Sequence, residues 1–407
     1  MSKKTTYIII FTVLAIVLIG LIGFYFLGRD TGGNGGGIVN TFRGFFPFGG
    51  ENTGNPNDGE PTPEQPGVEE PTVDFVKKLR KLSSEPVAGA GTVDVKAGTV
   101  VRYIEKATGH IYEVELFSPR SGRISNTTIP QAYDAVWGDK NTSLIARYLK
   151  DDDLTVDTFS LTLKNISTTT ENTISGIEFP KRISDVSVFG SSVFYLEQNT
   201  SSSNGYISNF SGGAKKLIWN SPIKEVLSQY VNAKTVALTT KPEENTDGFL
   251  YFVDTANGNI RKILGNIKGL STLVNDDASE VLYLNHEGEV GMYLYNIKNR
   301  TTANITPTAL PEKCAWSKKD RNVVYCAVSK ESIEIPTLTR WYKGLTQLTD
   351  DVWKYDLKNN TSDVVMTTST ETSETIDIVK PILSENEQYL VFVNKRDGSL
   401  WSLDVTK

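Results

Sequence analysis

The chain has 407 residues, 39% of them apolar and 10% aromatic, so it can bury a large core, and one large all-β domain fits as well as two smaller ones. Its net charge is −6 with no basic run, and with Lys3 and Lys4 set aside the remainder carries about −8, the wrong balance for the basic face of a nucleic-acid binder. Gly, Asn, Thr and Ser are abundant and strongly periodic helical segments are scarce, which points to strands and turns.

Residues 1–6 precede an uninterrupted apolar run of 21 residues, Tyr7 to Leu27. At about 1.5 Å per helical residue this run spans a hydrocarbon core of roughly 30 Å, so 7–27 is expected to be a transmembrane helix. The stretch after it lacks the small-x-small site of a cleaved signal, which favours an uncleaved anchor. Lys3 and Lys4 before the span, against Arg29 and Asp30 after it, place the N-terminus in the cytoplasm and the bulk of the chain outside a cell membrane. Residues 28–74 are dominated by Gly, Pro, Asn and Glu and cannot bury enough apolar surface to offset their ordering entropy, so they read as a flexible tether. Within it, Phe42 to Phe48 form an aromatic patch that either docks on a bilayer or partner or simply collapses near the membrane.

Residues 75–407 read as one domain of repeats. Each unit has an apolar strand, a polar turn, a β-branched or aromatic strand, a strand of the form Gly-x-apolar-aromatic, and a short last strand that often carries Lys or Arg. Second strands include Val193-Phe194-Tyr195-Leu196 and Val281-Leu282-Tyr283-Leu284; third strands include Gly248 to Asp254, Gly291 to Ile297 and Gly398 to Asp404. Asp254 with Gly258, Asn296 with Asn299 and Asp356 with Asn359 mark the hairpins into the fourth strand. First strands begin near Pro86, Pro130, Ile183, Ile223, Leu270, Cys314 and Ile376, a spacing of roughly 40 to 60 residues that matches four-stranded propeller blades. Seven starts give an all-β, seven-bladed β-propeller, with six and eight as the neighbouring counts. The last unit lacks a fourth strand, and Leu79 to Ser83 is the candidate to supply it, closing the ring without a covalent bond and covering both open edges.

The run Leu383 to Phe392 followed by Gly398-Ser399-Leu400-Trp401-Ser402-Leu403-Asp404 resembles repeats of the TolB-type and tryptophan-aspartate-repeat β-propellers. The layout of span, tether, Val101 to Tyr112 and Cys314-Ala315-Trp316 is similar to membrane-anchored propeller proteins of candidate-phylum bacteria. The resemblance covers about Leu79 to Lys407 and implies topology, not an activity.

Chemistry-bearing constellations are few. Cys314 and Cys326 are the only cysteines, and if Asp320 is the middle of the Trp316 to Val324 hairpin they lie directly opposite each other, within disulfide reach. A structural disulfide is the first reading; two buried free thiols and a redox or metal role are the others. The two histidines, His110 and His286, fall in separate units and offer neither a zinc site nor a nucleophile–base pair. Asp151-Asp152-Asp153 lacks the Gly-spaced surroundings of a calcium loop and reads as a solvated hairpin tip. Asp350 and Asp351 are adjacent at a strand start, but a paired-carboxylate site in a propeller would draw on different blades and has no sequence spacing. No phosphate-cradling loop is present, and no metal or cofactor is implied. Asn141, Asn165, Asn199, Asn209, Asn304 and Asn360 head Asn-x-Ser/Thr triplets, which would mark exposed turns if the host glycosylates.

The sixth unit is atypical. Between its second and third strands it carries Glu331 to Pro336 and then Trp341-Tyr342-Lys343-Gly344, where most other units have shorter connections. Either Trp341, Tyr342 and Lys343 are presented for interaction on a rigid scaffold, or the aromatics fold back to cap the blade. The functional expectation is a non-enzymatic binding or scaffolding protein of the cell envelope, its partner a protein or glycan. An extracytoplasmic hydrolase or lyase with its site in the propeller channel and a structural subunit of a membrane complex are the alternatives.

Overall fold

A computed structural model describes residues 77–150, 152, 155–164, 173–333 and 337–407. The apolar run Tyr7 to Leu27, the tether and the Phe42 to Phe48 patch lie outside these residues; among those described, no helix is long and apolar enough to cross a membrane.

The strands form seven four-stranded antiparallel sheets. Six are meanders of four consecutive strands, which is what alternating apolar segments joined mostly by short polar turns produce, and the seventh borrows its outermost strand. Blades 1 to 6 begin with Val87–Val95, Ala132–Trp137, Ile183–Phe189, Val226–Asn232, Ser271–Val274 and Cys314–Trp316, and blade 7 with Ile378–Leu383. Pairing starts as many as three residues later than the apolar runs suggest, as at Val226 rather than Ile223. Pro86 and Pro130 have no N–H to give a ladder, which keeps two of these runs out of the strand at their first residue. The hairpin signals act locally: Asp254 Oδ1 accepts the N–H of Ala256 and Asn257, and Asp356 Oδ1 those of Lys358 and Asn359.

Blade 7 consists of Ile378–Leu383, Tyr389–Asn394, Leu400–Asp404 and, as its outermost strand, Leu79–Lys81. Leu79 pairs with Leu403 and Lys81 with Trp401, so the segment ahead of blade 1 closes the ring. Leu79 is buried among Ile378, Leu390, Phe392 and Leu403.

The core lies between blades. One layer joins Leu282, Met292 and Ile305 of blade 5 to Trp316, Val324 and Tyr355 of blade 6, and another joins Phe194 and Trp219 of blade 3 to Tyr230, Val236 and Leu238 of blade 4. Second strands have neighbours on both faces, which is why they read as unbroken apolar runs: Val193, Phe194 and Leu196 are fully buried. First strands contact one another around the axis. Since the first three strands of every sheet form a meander, the starts of first strands and the connections between second and third strands lie at the same end of the ring.

Cys314 is paired with Cys326 in the register counted from the hairpin, and their sulfurs stand at bonding distance, 2.10 Å.

Candidate functional site

Among the described residues, several clusters of charge form at that end of the ring, and two of them draw on three or more elements from different blades. The first joins blades 6 and 7. A single 3-10 turn, Pro311–Lys313, delivers Lys313 just before the first strand of blade 6. Lys313 Nζ lies 2.6 Å from Asp350 Oδ2 and 2.6 Å from Asp377 Oδ1, with all three side chains at 1% exposure or less. Asp350 opens the third strand of blade 6, and Asp377 immediately precedes the first strand of blade 7. The Ile378 N–H donates to Asp350 Oδ2 at 2.6 Å, while Asp350 Oδ1 has no hydrogen-bond partner. Asp377 accepts far more: Trp341 Nε1–H lies 3.1 and 3.0 Å from its two oxygens, and the Leu348 N–H donates to Oδ2 at 2.9 Å. Burial pushes the Asp350 carboxyl up to about 6, against the charge and hydrogen bond of Lys313. Lys395 completes the group, its Nζ 3.9 Å from the Trp341 ring centroid and hydrogen-bonded to the Trp341 carbonyl. Burial pulls the Lys395 ammonium below its ordinary value, and the charge of Lys313 adds to this against the pull of Asp377.

The insertion of blade 6 is what roofs this cluster. Thr337–Tyr342 forms a short helix, and Leu338, Trp341 and Leu348 pack with Leu284 of blade 5 and Leu310. The Thr339 N–H donates at 3.0 Å to Glu244, in the second-to-third connection of blade 4. The insertion therefore lies across blade 5 and reaches blade 4. Of the three residues singled out for interaction, Trp341 is buried at 4% exposure and spends its indole N–H on Asp377. Tyr342 is half-buried with its ring edge-on to Trp341, and Lys343 is exposed. Leu345, three residues past Tyr342, is 66% exposed and is the most exposed large apolar side chain of the described fold.

The second cluster lines the channel across blades 7, 1, 2 and 3. Lys380, at a bulge in the innermost strand of blade 7, reaches Ala88 O of blade 1 at 3.1 Å and Asp134 Oδ1 of blade 2 at 2.6 Å. Arg147 lies 3.6 Å from the other Asp134 oxygen, donates at 2.8 Å to Ile183 O of blade 3, and stacks against the exposed Tyr133 ring. Burial works against ionisation of Asp134, but Lys380 and Arg147 outweigh it and hold the carboxyl below the usual range. In blade 3, Asp185 Oδ2 accepts the Ser228 N–H at 2.5 Å and the Ser228 hydroxyl at 2.7 Å, both from blade 4. Burial nevertheless pushes Asp185 up to about 6.

The remaining candidates stay apart. His110 Nε2 is 3.3 Å from Thr128 Oγ1 in blade 1, and burial lowers its imidazole, aided by Arg123. His286 is buried in blade 5 with neither ring nitrogen hydrogen-bonded, and burial lowers it too. Among the described residues no three His, Cys, Asp or Glu side chains converge to hold a metal ion. Asp152 accepts the Thr155 N–H and hydroxyl as a turn-forming side chain; Asp151 and Asp153 lie outside the described residues, as does Asn165. Asn199, Asn209, Asn304 and Asn360 are exposed, whereas Asn141 is buried at 4% exposure, so its side chain does not mark an accessible turn.

No family model matches the sequence, and no curated protein does. Among solved structures, the chain is similar to an oligogalacturonate lyase in complex with manganese, with a TM-score of 0.50 and 12% identity over 81% of this chain and 100% of that one. The likeness is one of fold. TolB from Acinetobacter baumannii (TM-score 0.41, 11% identity, 77% of this chain and 78% of that one) and a Mycobacterium tuberculosis puromycin-hydrolyzing peptidase (0.48, 8%, 76% and 51%) are more distant in shape.

Proposed function

We propose that the chain is a non-enzymatic binding or scaffolding module of the cell envelope, carried on the Tyr7 to Leu27 span and its tether and engaging a protein or glycan through the propeller. The observation that supports this reading is how the charges at the ring mouth are used. Asp134 is held by Lys380 and Arg147, Asp185 by Ser228, and Asp377 by Lys313, Trp341 and Leu348, so each carboxylate ties one blade to another. A hydrolytic pair would instead leave one carboxylate facing open space, poised to take or give a proton. On this reading the partner meets the outer side of the blade 6 insertion, at Tyr342, Lys343 and Leu345.

The test is in-cell cross-linking of the full chain, comparing wild type with a Lys343→Glu/Leu345→Asp double variant. The reading expects one partner set that the variant loses while its fold persists. The competing reading, a hydrolase or lyase in the channel, is favoured by one observation: the Asp185 carboxyl is raised to about 6 beside an exposed Tyr133 and Arg147. Turnover of envelope glycans or peptides by the purified full chain, abolished by Asp185→Asn, would replace the binding reading with that one.

A further inference from the structure

Lys313, Asp350 and Asp377 are an unusual group to bury. Removing ions from water costs several kcal/mol each even after relaxation, and here two carboxylates share one ammonium with almost no access to solvent. A desolvated lysine whose nitrogen lies 2.6 Å from one oxygen of a carboxyl flanked by N–H donors is also a nucleophile held beside an electrophile.

We propose that Lys313 and Asp377 condense into an intramolecular isopeptide bond, joining blade 6 covalently to blade 7, with Asp350 as the acid–base group. The assignment of roles follows from the hydrogen bonds. Asp377 Oδ2 alone receives the Leu348 N–H, at 2.9 Å, and shares the Trp341 N–H with Oδ1 (3.0 against 3.1 Å), so it is the oxygen with more donors to stabilise negative charge as it develops. Asp377 Oδ1 lies 2.6 Å from Lys313 Nζ and is the oxygen that leaves. Asp350 Oδ2 lies 2.6 Å from the same nitrogen, placed to take its proton, and the upward pull of burial on this carboxyl suits a group that both accepts and returns one. Asp350 is the poorer electrophile because its second oxygen, Oδ1, has no donor to stabilise it.

The step balances within the protein. Lys313 Nζ gives one proton to Asp350, which passes it to Asp377 Oδ1, so that a neutral amine faces a neutral carboxyl. Nζ then attacks Asp377 Cγ, the N–C bond forms and the C=O electron pair moves onto Oδ2. The Cγ–Oδ1 bond then breaks as Oδ1 departs with two hydrogens that began on the ammonium, one relayed through Asp350. The products are one amide and one water, and Asp350 ends as it began. In bulk water such a condensation runs uphill, but groups held in contact behave as though present at roughly 10⁵–10⁸ M, and the amide removes an ion pair from an apolar interior. Trp341 thereby gains a role that explains its burial: it is a donor to the reacting carboxyl rather than a contact for a partner. This inference is independent of the binding reading, since it concerns a bond within the chain.

The experiment is mass spectrometry of the wild-type full chain after reduction, alkylation and denaturation. The expected result is a chain lighter by one water, and a tryptic digest in which Lys313 resists cleavage and a branched peptide links it to the peptide holding Asp377. Asp377→Asn should give the same branched peptide with loss of ammonia in place of water. Asp350→Asn should slow its appearance by roughly 10²-fold or more, the usual weight of a general acid–base group. Recovery of wild-type Lys313 in linear peptides alone overturns the proposal, whatever the variants do. So does a link from Lys313 to Asp350, or a branched peptide that forms as fast in Asp350→Asn as in wild type.

Discussion

Lys313 and Lys380 each bridge blades at the same end of the ring, yet the Lys313 side chain is 1% exposed and that of Lys380 is 50% exposed. Lys380 and Asp134 meet water, so their attraction is screened and the pair can exchange partners with solvent. Lys313 and its two carboxylates have no such exchange, and every change at one is felt by the others. The contrast comes from the insertion: among the described residues, blade 6 alone carries a helix and a tryptophan between its second and third strands. Similar residue types therefore make an adjustable tie on one side and a sealed reaction vessel on the other.

Removing the lysine of the sealed cluster tests the contrast most severely. Lys313→Met takes away the group that Asp350 and Asp377 share, and with it the amide proposed above, and should cost roughly 3–5 kcal/mol in urea unfolding. A loss below about 1 kcal/mol would mean that water enters the cluster. Replacing both Cys314 and Cys326 with Ala should cost roughly 2–3 kcal/mol for so short a loop, read as a shift of the same transition. That loss should add to the Lys313 effect only if the two features hold blade 6 independently. Lys380→Ala, the matching change on the wet side, should cost under about 1 kcal/mol, and the difference should shrink further at high salt.

The smallest effect is a pH slope. Burial raises the Asp185 carboxyl from 3.8 to about 6, so between those values the folded chain holds a proton that the unfolded chain has lost. The stability this group adds is present below its ordinary value and disappears as pH rises through about 6. Asp185→Asn should remove that part of the slope, so denaturant midpoints of wild type and variant should differ by a different amount at about pH 4.5 than at about pH 7. Equal differences at both would place Asp185 in open water.

The ring was legible in the sequence because the repeat states it many times. Val193 to Leu196 and Val281 to Leu284 are buried on both faces and look it, and Leu79 to Ser83 stood out as a strand with no unit of its own. The hairpin count that set Cys314 opposite Cys326 needs only a turn centre. The charge clusters were not legible in the same way. Asp350 was visible at a strand start, but its partners Lys313 and Asp377 lie 37 and 27 residues away and meet it only through the seam of two blades. Asp134 and Lys380 are 246 residues apart and touch because the ring closes. The usable signal was an isolated charge directly before an apolar strand, as in Asp377-Ile378. The insertion showed its aromatics in the sequence but not their direction, since Trp341 turns inward for a carboxylate from another blade.

Leu79–Lys81 pairs with Leu400–Asp404, so the earliest described strand finds its partner in the seventh blade. During translation it must wait while blades 1 to 6 emerge and stack, with two raw sheet edges exposed until blade 7 follows. The ring is thus a clasp that can be fastened only once blade 7 has emerged, and the period before fastening is when it is most open to adhering to a second copy of itself.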